Sequence, residues 1–411
     1  MHAQVYDVTE LAKVHPGGSV IYTQLGKDVT DVFSVFHDAS TWKLLKEMYV
    51  ADLEPVEPTT LEERKQQELL EDFRKMRMDM IRDGLFESNK WYYVLKVMTN
   101  VGILVTSIAC IYRSCSWTSL LISSFLLGLF WQQCGWLAHD FLHHQVFKKR
   151  KWNDYVGLVL GNVAQGFSSS WWKDKHNTHH AAPNELDNGH YAVDPDIDTL
   201  PLIAWSKEML ETLETRGEQA LVAIQHYLFF PILFLARMSW AQQSLAFAAD
   251  SKVLGRRRSI EEFTLLLLHY VWYFGVSFSA LPFFKACAFV LLCQLFSGVL
   301  LSIVFVQSHN AKEVYADSKD FVSAQIVSTR DVDGGLFNDW FTGGLNRQIE
   351  HHLFPTMPRH NLGKAQGRVR EFCLKHGLLY EECSMLSATC KVMKLLKDIA
   401  GMARDRLRKE L

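Results

Sequence analysis

Seventeen histidines stand in the 411-residue chain, and eight of them fall in three short runs: HDFLHH over 139–144, HNTHH over 176–180 and QIEHH over 348–352. Residues three and four apart share a helix face. The second run therefore turns His176, His179 and His180 to one side. The third has the same spacing for Gln348, His351 and His352. In the first, a continuing helix puts His139 and His143 on one face with His144 beside them. Neutral imidazole nitrogen suits Fe, Zn, Cu or Ni. One such run alone reads more often as a polar helix end than as a metal site. Three runs buried together without a metal would leave many polar groups in need of partners. A structural zinc is satisfied by four ligands, so eight or nine histidines suit two ions. His309, in QSHN, is the ninth candidate, and no cysteine lies in the runs to support an iron–sulfur cluster. His269 reads as a packed, hydrogen-bonded residue, and His2, His190, His226, His360 and His376 belong to no cluster.

The elements that must position these runs are apolar. Residues 91–112, 117–138, 263–284 and 286–306 are each about 20 residues long, enough for a helix to cross a ~30 Å hydrocarbon core. The last three carry no Asp, Glu, Lys or Arg, and Lys96 in the first lies near its end, where it can snorkel. Short connections at 113–116 and around Pro282 and Lys285 make two hairpins. The apolar stretch 223–249 also holds Gln225, His226, Arg237, Gln242 and Gln243. Arginine is costly at a bilayer centre, and a crossing there would carry the third histidine run to the side opposite the first two. This stretch is expected to lie in the interface or buried against the other helices, and 155–167 reads similarly. The basic runs 148–151 and 256–258 fall on the N-terminal side, against Arg113 and Lys285 alone in the opposite loops. The positive-inside rule then puts the N-terminus, the histidine runs and the C-terminus in the cytosol. There is no cleavable signal-peptide pattern.

Composition narrows the class further. Lys plus Arg is 43 against 45 Asp plus Glu, a net charge of −2, so nothing points to nucleic acid. With 48% hydrophobic and 21% charged residues the chain is not disordered. Charge gathers in 1–90, 148–218 and 310–411, and the apolar remainder excludes a purely soluble protein. Eight cysteines without a CxxC pair read as reduced or buried thiols. Residues 1–55 form a small unit: a strand over 5–8, a turn at HPGG over 15–18, and helical spacing over 30–36 and 40–48. Pro55 and Pro58 mark a linker. Residues 61–88 are a charged amphipathic helix, lying on the membrane surface or serving as a solvated linker.

HDFLHH, HNTHH and QIEHH, in this order around these helices, resemble the boxes of membrane-bound fatty acid desaturases. Gln348 in the first place of the third box resembles the front-end subgroup, which carries a fused N-terminal cytochrome b5 domain. HPGG over 15–18, DVTD over 28–31 and FHD over 36–38 resemble that domain's haem-binding pattern. WWKDKH over 171–176, DPDIDT over 194–199, NDWFTGGLN over 338–346 and HLFP over 352–355 extend the likeness over nearly the whole chain. It is nearest to the Δ6 front-end desaturases of green algae and mosses.

The resemblance implies a mainly α fold: a four-transmembrane-helix di-iron desaturase with a cytosolic helical cap, preceded by a truncated α+β cytochrome b5-like domain. The expected divisions are 1–55 for the haem domain, 56–90 for linker and amphipathic helix, 91–390 for the desaturase and 391–411 for a C-terminal helical tail. A cytochrome b5 domain ordinarily has a further strand and helix ahead of the segment at Val5, so this one is expected to be N-terminally incomplete. The implied iron ligands are His139, His143, His144, His176, His179, His180, His351 and His352, with His309 and Gln348 completing the set. His15 and His37 would be the axial ligands of haem b. O2 and two electrons would desaturate linoleoyl and α-linolenoyl chains, as acyl-lipid or acyl-CoA, at Δ6 in the endoplasmic reticulum. NADH-cytochrome b5 reductase would supply the electrons, with a separate cytochrome b5 if the fused domain holds no haem. Asp140, Glu350, Asp194, Asp196 and Asp198 are candidates to accept hydrogen bonds from ligand N–H groups. Trp171, Trp172, Lys173 and Lys175 are candidates for holding a phosphate head group, or ordinary interfacial anchors. A Δ5 fatty acid or Δ8 sphingolipid front-end desaturase shares the boxes, and a membrane hydroxylase could use similar iron chemistry. From other classes, a haem-bearing membrane electron carrier with a structural metal would need only four of the nitrogens, and a metal transporter would place ionisable residues within the spans.

Overall fold

The first element is a short antiparallel pair, β1 (Gln4–Tyr6) with β2 (Tyr49–Asp52). The computed structural model describes residues 4–38, 40–54 and 57–409; His2 and Pro55 lie outside them. Between the two strands, helix α1 (Thr30–Phe36) starts where the Asp28 carboxylate accepts from the Thr30 N–H at 2.9 Å, and it ends directly at His37. The helical spacing over 40–48 folds as one α-turn, Thr41–Leu45, continued by a 3-10 turn, Lys46–Met48.

Helix α2 (Leu61–Arg82) opens on a Thr60/Glu63 capping box. One stripe of the helix is buried against the rest of the protein. Leu69, Phe73 and Met80 lie on that stripe and bury it against Val322, Ile349, Leu353, Phe354 and Val369. Phe73 stacks on Phe354 at 5.7 Å between ring centres.

Among the described residues, four helices are long and apolar enough to cross a membrane. These are α3 (Lys90–Arg113) and α4 (Trp117–Leu142), then, after α5 (Arg150–Leu158), a π-helical turn (Val159–Gln165), α6 (Ser169–Ala181) and α7 (Gln225–Ala249), α8 (Arg256–Ala280) and α9 (Phe283–Ser308). Helix α8 begins seven residues before the expected 263 and stops before Pro282. Proline has no N–H to continue a helix and disfavours helical backbone in the residue before it. The stretch expected at the interface or buried is α7, which meets Arg216–Val222 at an 82° bend and would add a fifth span if the pair were counted as one. It packs against α8 and α9. Its Arg237 is fully buried, donates to the Gln165 carbonyl and lies 5.0 Å over the Trp131 ring.

Helix α4 is the central one, with 78% of its apolar window buried against 17% for α3. Small residues let α9 approach on both sides. A Cβ on Gly128 of α4 would lie 2.9 Å from the Ser297 nitrogen, and one on Gly298 would lie 2.4 Å from the Phe234 carbonyl oxygen of α7.

Beyond the spans the chain builds a cap from α10 (Phe321–Val327), α11 (Gln348–Leu353), α12 (Arg359–Lys375) and α13 (Met385–Lys409), with β3 (Asp331–Val332) parallel to β4 (Glu382–Cys383). The expected division at 390/391 falls inside α13. Its Val392, Leu396 and Ile399 share a core with Trp205, Met209 and Phe229, so the end of the chain is integral to the cap.

Gly298→Val is expected to force α7 and α9 apart and cost about 1–3 kcal/mol, read as a lower thermal midpoint of the detergent-solubilised protein; an unchanged midpoint would refute the close packing.

Candidate metal centre

Four separate parts of the chain bring the histidine runs together. His139 rides the last turn of α4, and His143 follows as that helix ends at Leu142. His176, His179 and His180 lie on α6, His309 caps the end of α9, and α11 carries Gln348, His351 and His352. The N-terminus of α6 is fastened to α8. Buried Glu262 accepts from the Ser170 backbone N–H at 3.2 Å and from the Ser168 hydroxyl, while Arg258 pairs with it at 2.8 Å. This is why α8 runs beyond its apolar stretch. On α11, the Ile349 N–H donates to Asp331 at 3.0 Å. The 338–346 motif turns through Gly343 at φ +65°, where a Cβ would lie 2.5 Å from Trp136 of α4.

The imidazoles form two adjoining groups. His139, His143, His176, His180 and His351 make the first; His179, His309 and His352 make the second. Nε2 atoms face one another at 3.1 Å for His139 and His351, 3.1 Å for His176 and His180, and 3.3 Å for His179 and His309. Two ligands of one ion, with bonds of about 2 Å at a wide angle, sit about 3 Å apart. Nε2 of His143 and of His352 is buried without a hydrogen-bond partner among the described residues. These observations fit metal ions. His180 of the first group stacks on His352 of the second at 4.1 Å between ring centres, so the groups share a wall. Gln348 Nε2 lies 2.8 Å from His309 Nε2. Its Oε1 is buried and unpartnered, and a half-turn of the amide, equivalent in shape, presents that oxygen to the second group.

Burial first, then neighbouring imidazoles, hold His143, His176, His180, His351 and His352 well below the usual histidine range. They are neutral, the ligating form. His179 differs. Burial pushes it down, but Asp194 and Asp196 raise it to about 9. Its Nδ1 lies 2.9 Å from Asp194, which orients the ring and leaves Nε2 for the group.

Several expected site residues lie elsewhere. His144 joins neither group: its backbone turns left-handed, φ +60°, and its Nε2 meets Asp154 at 3.0 Å. Asp140, by contrast, does meet a ligand ring, lying 3.4 Å from His139 Nδ1, and it also pairs with buried Arg359. Asp196 stands 3.7 Å from His179 and Asp198 is exposed. Among the described residues Glu350 makes no hydrogen bond to a histidine; it shares the Tyr380 hydroxyl with Asp331 and is raised well above its ordinary value by burial and by that second carboxylate. Trp171 and Trp172 point inward, Trp172 stacking on His176 at 4.3 Å, and Lys173 pairs with Asp154, so these three form no open head-group site; Lys175 is only half-buried. Sequence reasoning missed Gln325, whose Oε1 accepts from His352 Nδ1 at 2.7 Å while its Nε2 donates to the His180 carbonyl at 3.1 Å. Nothing in its local pattern marks it.

A second pair of histidines faces off in the N-terminal unit. His15 and His37 have ring centres 6.2 Å apart, the span of two ring half-widths and two metal–nitrogen bonds of about 2 Å each. His37 Nδ1 lies 3.1 Å from the Phe33 carbonyl and His15 Nδ1 3.4 Å from the Gly18 carbonyl, which keeps each Nε2 for a metal. Burial lowers both, His37 to about 4. The pair fits a haem with two axial histidines. The unit docks on α6. Asn177 donates to the Gly17 carbonyl at 2.9 Å, Asp174 accepts from the Ser19 N–H at 2.6 Å, and the Phe36 ring stands edge-on to His180 at 5.9 Å.

The chain matches the fatty acid desaturase family over residues 116–384 and the cytochrome b5-like heme/steroid binding domain over 1–54. It belongs to the fatty acid desaturase family and is a membrane oxidoreductase with a fused cytochrome b5 domain, acting on lipid. Within that family it is a front-end desaturase. It is 53% identical over 402 residues to an acyl-lipid (9-3)-desaturase of the moss Physcomitrium patens, covering 98% of this chain and 75% of the relative. It is 36% identical over 410 residues to a Delta(8)-fatty-acid desaturase of Euglena gracilis, covering 97% and 94%. It is 34% identical over 428 residues to a Delta(6)-fatty-acid desaturase of Caenorhabditis elegans, covering 96% and 94%. The family and the fused domain imply iron and haem.

Gln325→Leu is expected to lower iron content or activity about 10- to 100-fold, as loss of a ligand's hydrogen-bond partner does. By elemental analysis, His143→Ala should lose iron while His144→Ala keeps it; equal losses would refute the division of the first run.

Proposed function

We propose that this desaturase inserts a cis double bond at Δ6 of C18 polyunsaturated acyl chains, converting linoleoyl to γ-linolenoyl and α-linolenoyl to stearidonoyl chains. The observation that carries the chemistry is the convergence of eight buried imidazoles into two adjoining groups. One iron belongs to each. The first is held by His139, His143, His176, His180 and His351, the second by His179, His309 and His352 with Gln348. Abstracting hydrogen from an unactivated CH2 is beyond acid–base groups, and iron with O2 and two electrons supplies that oxidising power. The chain's own residues do the rest. Asp194 and Gln325 orient ligand rings, and the packed Trp172 and Phe167 keep water from the first group.

His15 and His37 hold haem b, and Phe36 is the side chain by which that unit touches a ligand of the first iron. Electrons come from NADH through cytochrome b5 reductase, with a separate cytochrome b5 as a second donor. The enzyme sits in the endoplasmic reticulum with its termini and histidine groups cytosolic. The moss relative's (9-3) designation and the C. elegans relative's Delta(6) name support the regiochemistry.

Fatty acid methyl ester analysis of yeast expressing the chain and fed linoleic acid tests this. A γ-linolenic acid peak, absent with His351→Ala, is the expected result; a Δ5 or Δ8 product from other fed acids, with no γ-linolenic acid, would replace it. Phe36→Ala should keep haem absorbance but slow reoxidation of the prereduced haem about tenfold in single turnover, an effect on the order of 1.4 kcal/mol in barrier.

A further inference from the structure

With Trp171, Trp172 and Lys173 turned inward, the polar end of the substrate must be held elsewhere. A cleft of about 390 Å³ opens where the N-terminal unit meets the membrane helices, lined by four cations: Arg77, Lys90, Lys148 and Arg150. Two of them are paired, Lys148 with Glu87 at 3.2 Å and Arg150 with Asp38 at 3.5 Å. Among the described residues, the hydrogen bonds of the other two go to neutral oxygens. Arg77 donates to the Ser34 carbonyl at 2.6 Å, and Lys90 donates to the carbonyls of Val146 and Ser88. With Glu87 and Asp38 the only acidic residues in the lining, the cleft keeps two positive charges in excess. Arg77 Nε and the Ser88 hydroxyl are buried and have no hydrogen-bond partner among the described residues. At the floor, Gln145 is 3% exposed with an unpartnered Oε1. Of the two facing histidines of the N-terminal unit, His37 lines the cleft and His15 does not.

Two features of place give this cleft a meaning. Lys90 is the first residue of α3, so the cleft lies where that span leaves the apolar layer, the level of lipid head groups. Its floor residues, His144 and Gln145, directly follow His143 of the first imidazole group. A front-end reaction works between an existing double bond and the carboxyl end, so the acyl carrier has to be anchored only a few carbon–carbon bonds from the metal. A cationic cleft adjoining His143 meets that constraint, and its unpartnered N–H and O–H donors suit an acceptor-only anion.

We propose that this cleft binds the phosphate of the acyl carrier, with Arg77 and Lys90 as its two charged contacts. The inference rests on the desaturase reading above and adds the chemistry by which the substrate's polar end is recognised. A phospholipid head group and the phosphates of coenzyme A share that chemistry.

Binding of three probes to the full haem-loaded chain in an uncharged detergent decides the matter: linoleoyl-lysophosphatidylcholine, linoleoyl-coenzyme A, and monolinoleoylglycerol, which has no phosphate. At least one phosphate probe is expected to bind about tenfold or more tighter than the glycerol ester, and the tighter of the two identifies the source. The double variant Arg77→Gln/Lys90→Gln should bring that preference to within about twofold, whereas Arg77→Lys/Lys90→Arg should retain it. Haem absorbance and thermal midpoint report on folding. If the Gln variant does not fold, salt dependence of the wild-type preference takes its place, since an electrostatic preference must shrink as salt rises. Equal binding of all three probes, a preference indifferent to salt, or a preference that survives in a folded Gln variant overturns the proposal. So does loss of haem in the Gln variant with the preference intact, which would give the cations to the haem's carboxylates. Binding requires no turnover, so a chain that makes no Δ6 product would fail the yeast assay and still give a clear result here.

Discussion

The constraint on which this structure depends is that eight imidazoles from four chain segments must stay buried and converge in two adjoining groups. An imidazole has two nitrogens, and only one can face the metal. The other, where it is hydrogen-bonded, fixes the ring. His179 is tied by Asp194, His352 by Gln325, and His15 and His37 by backbone carbonyls. Much of the remaining architecture serves to hold the segments in place. Glu262 reaches from α8 to pin the start of α6, Asp331 pins the start of α11, and Arg359 bridges the cap to Asp140 at the end of α4. These tethers are polar groups buried beside an apolar bundle, which proteins keep only where the groups pair with one another.

The same economy explains how two redox units share one chain. The cytochrome b5-like unit meets the desaturase across α6, the helix that carries the second histidine run. Its Phe36 is the last residue of α1, directly before His37, so one aromatic side chain links the His37 position to His180 of the first imidazole group. Docking is polar at its edges, with Lys27 pairing with Glu185 at 2.9 Å and Arg74 bidentate to Asp31, and aromatic at its centre. Helix α2 contributes to both parts, burying Phe73 in the cap and offering Arg74 and Arg77 to the N-terminal unit.

The sequence by itself determined the chemistry and the layout. Imidazole spacing is a local property of a helix, so HNTHH and QIEHH were legible as ligand faces before any fold was known, and the spans were legible because a bilayer demands unbroken apolar length. The resemblance of the HPGG and FHD segments to a haem-binding pattern pointed to His15 and His37. Tertiary structure alone decided which imidazoles belong together, because the grouping of His180 with His139, and of His179 with His309, depends on how distant segments pack. It decided against His144 through one left-handed residue after a helix end, turned Trp172 and Lys173 from the surface to the interior, and gave Glu350 to a carboxylate pair. It also recruited Gln325, which carries no sequence signal because its role is defined only by the partner it meets 27 residues away. Local periodicity is written in the chain; the partner of a buried polar group is not, since any donor or acceptor that packing brings within reach will serve.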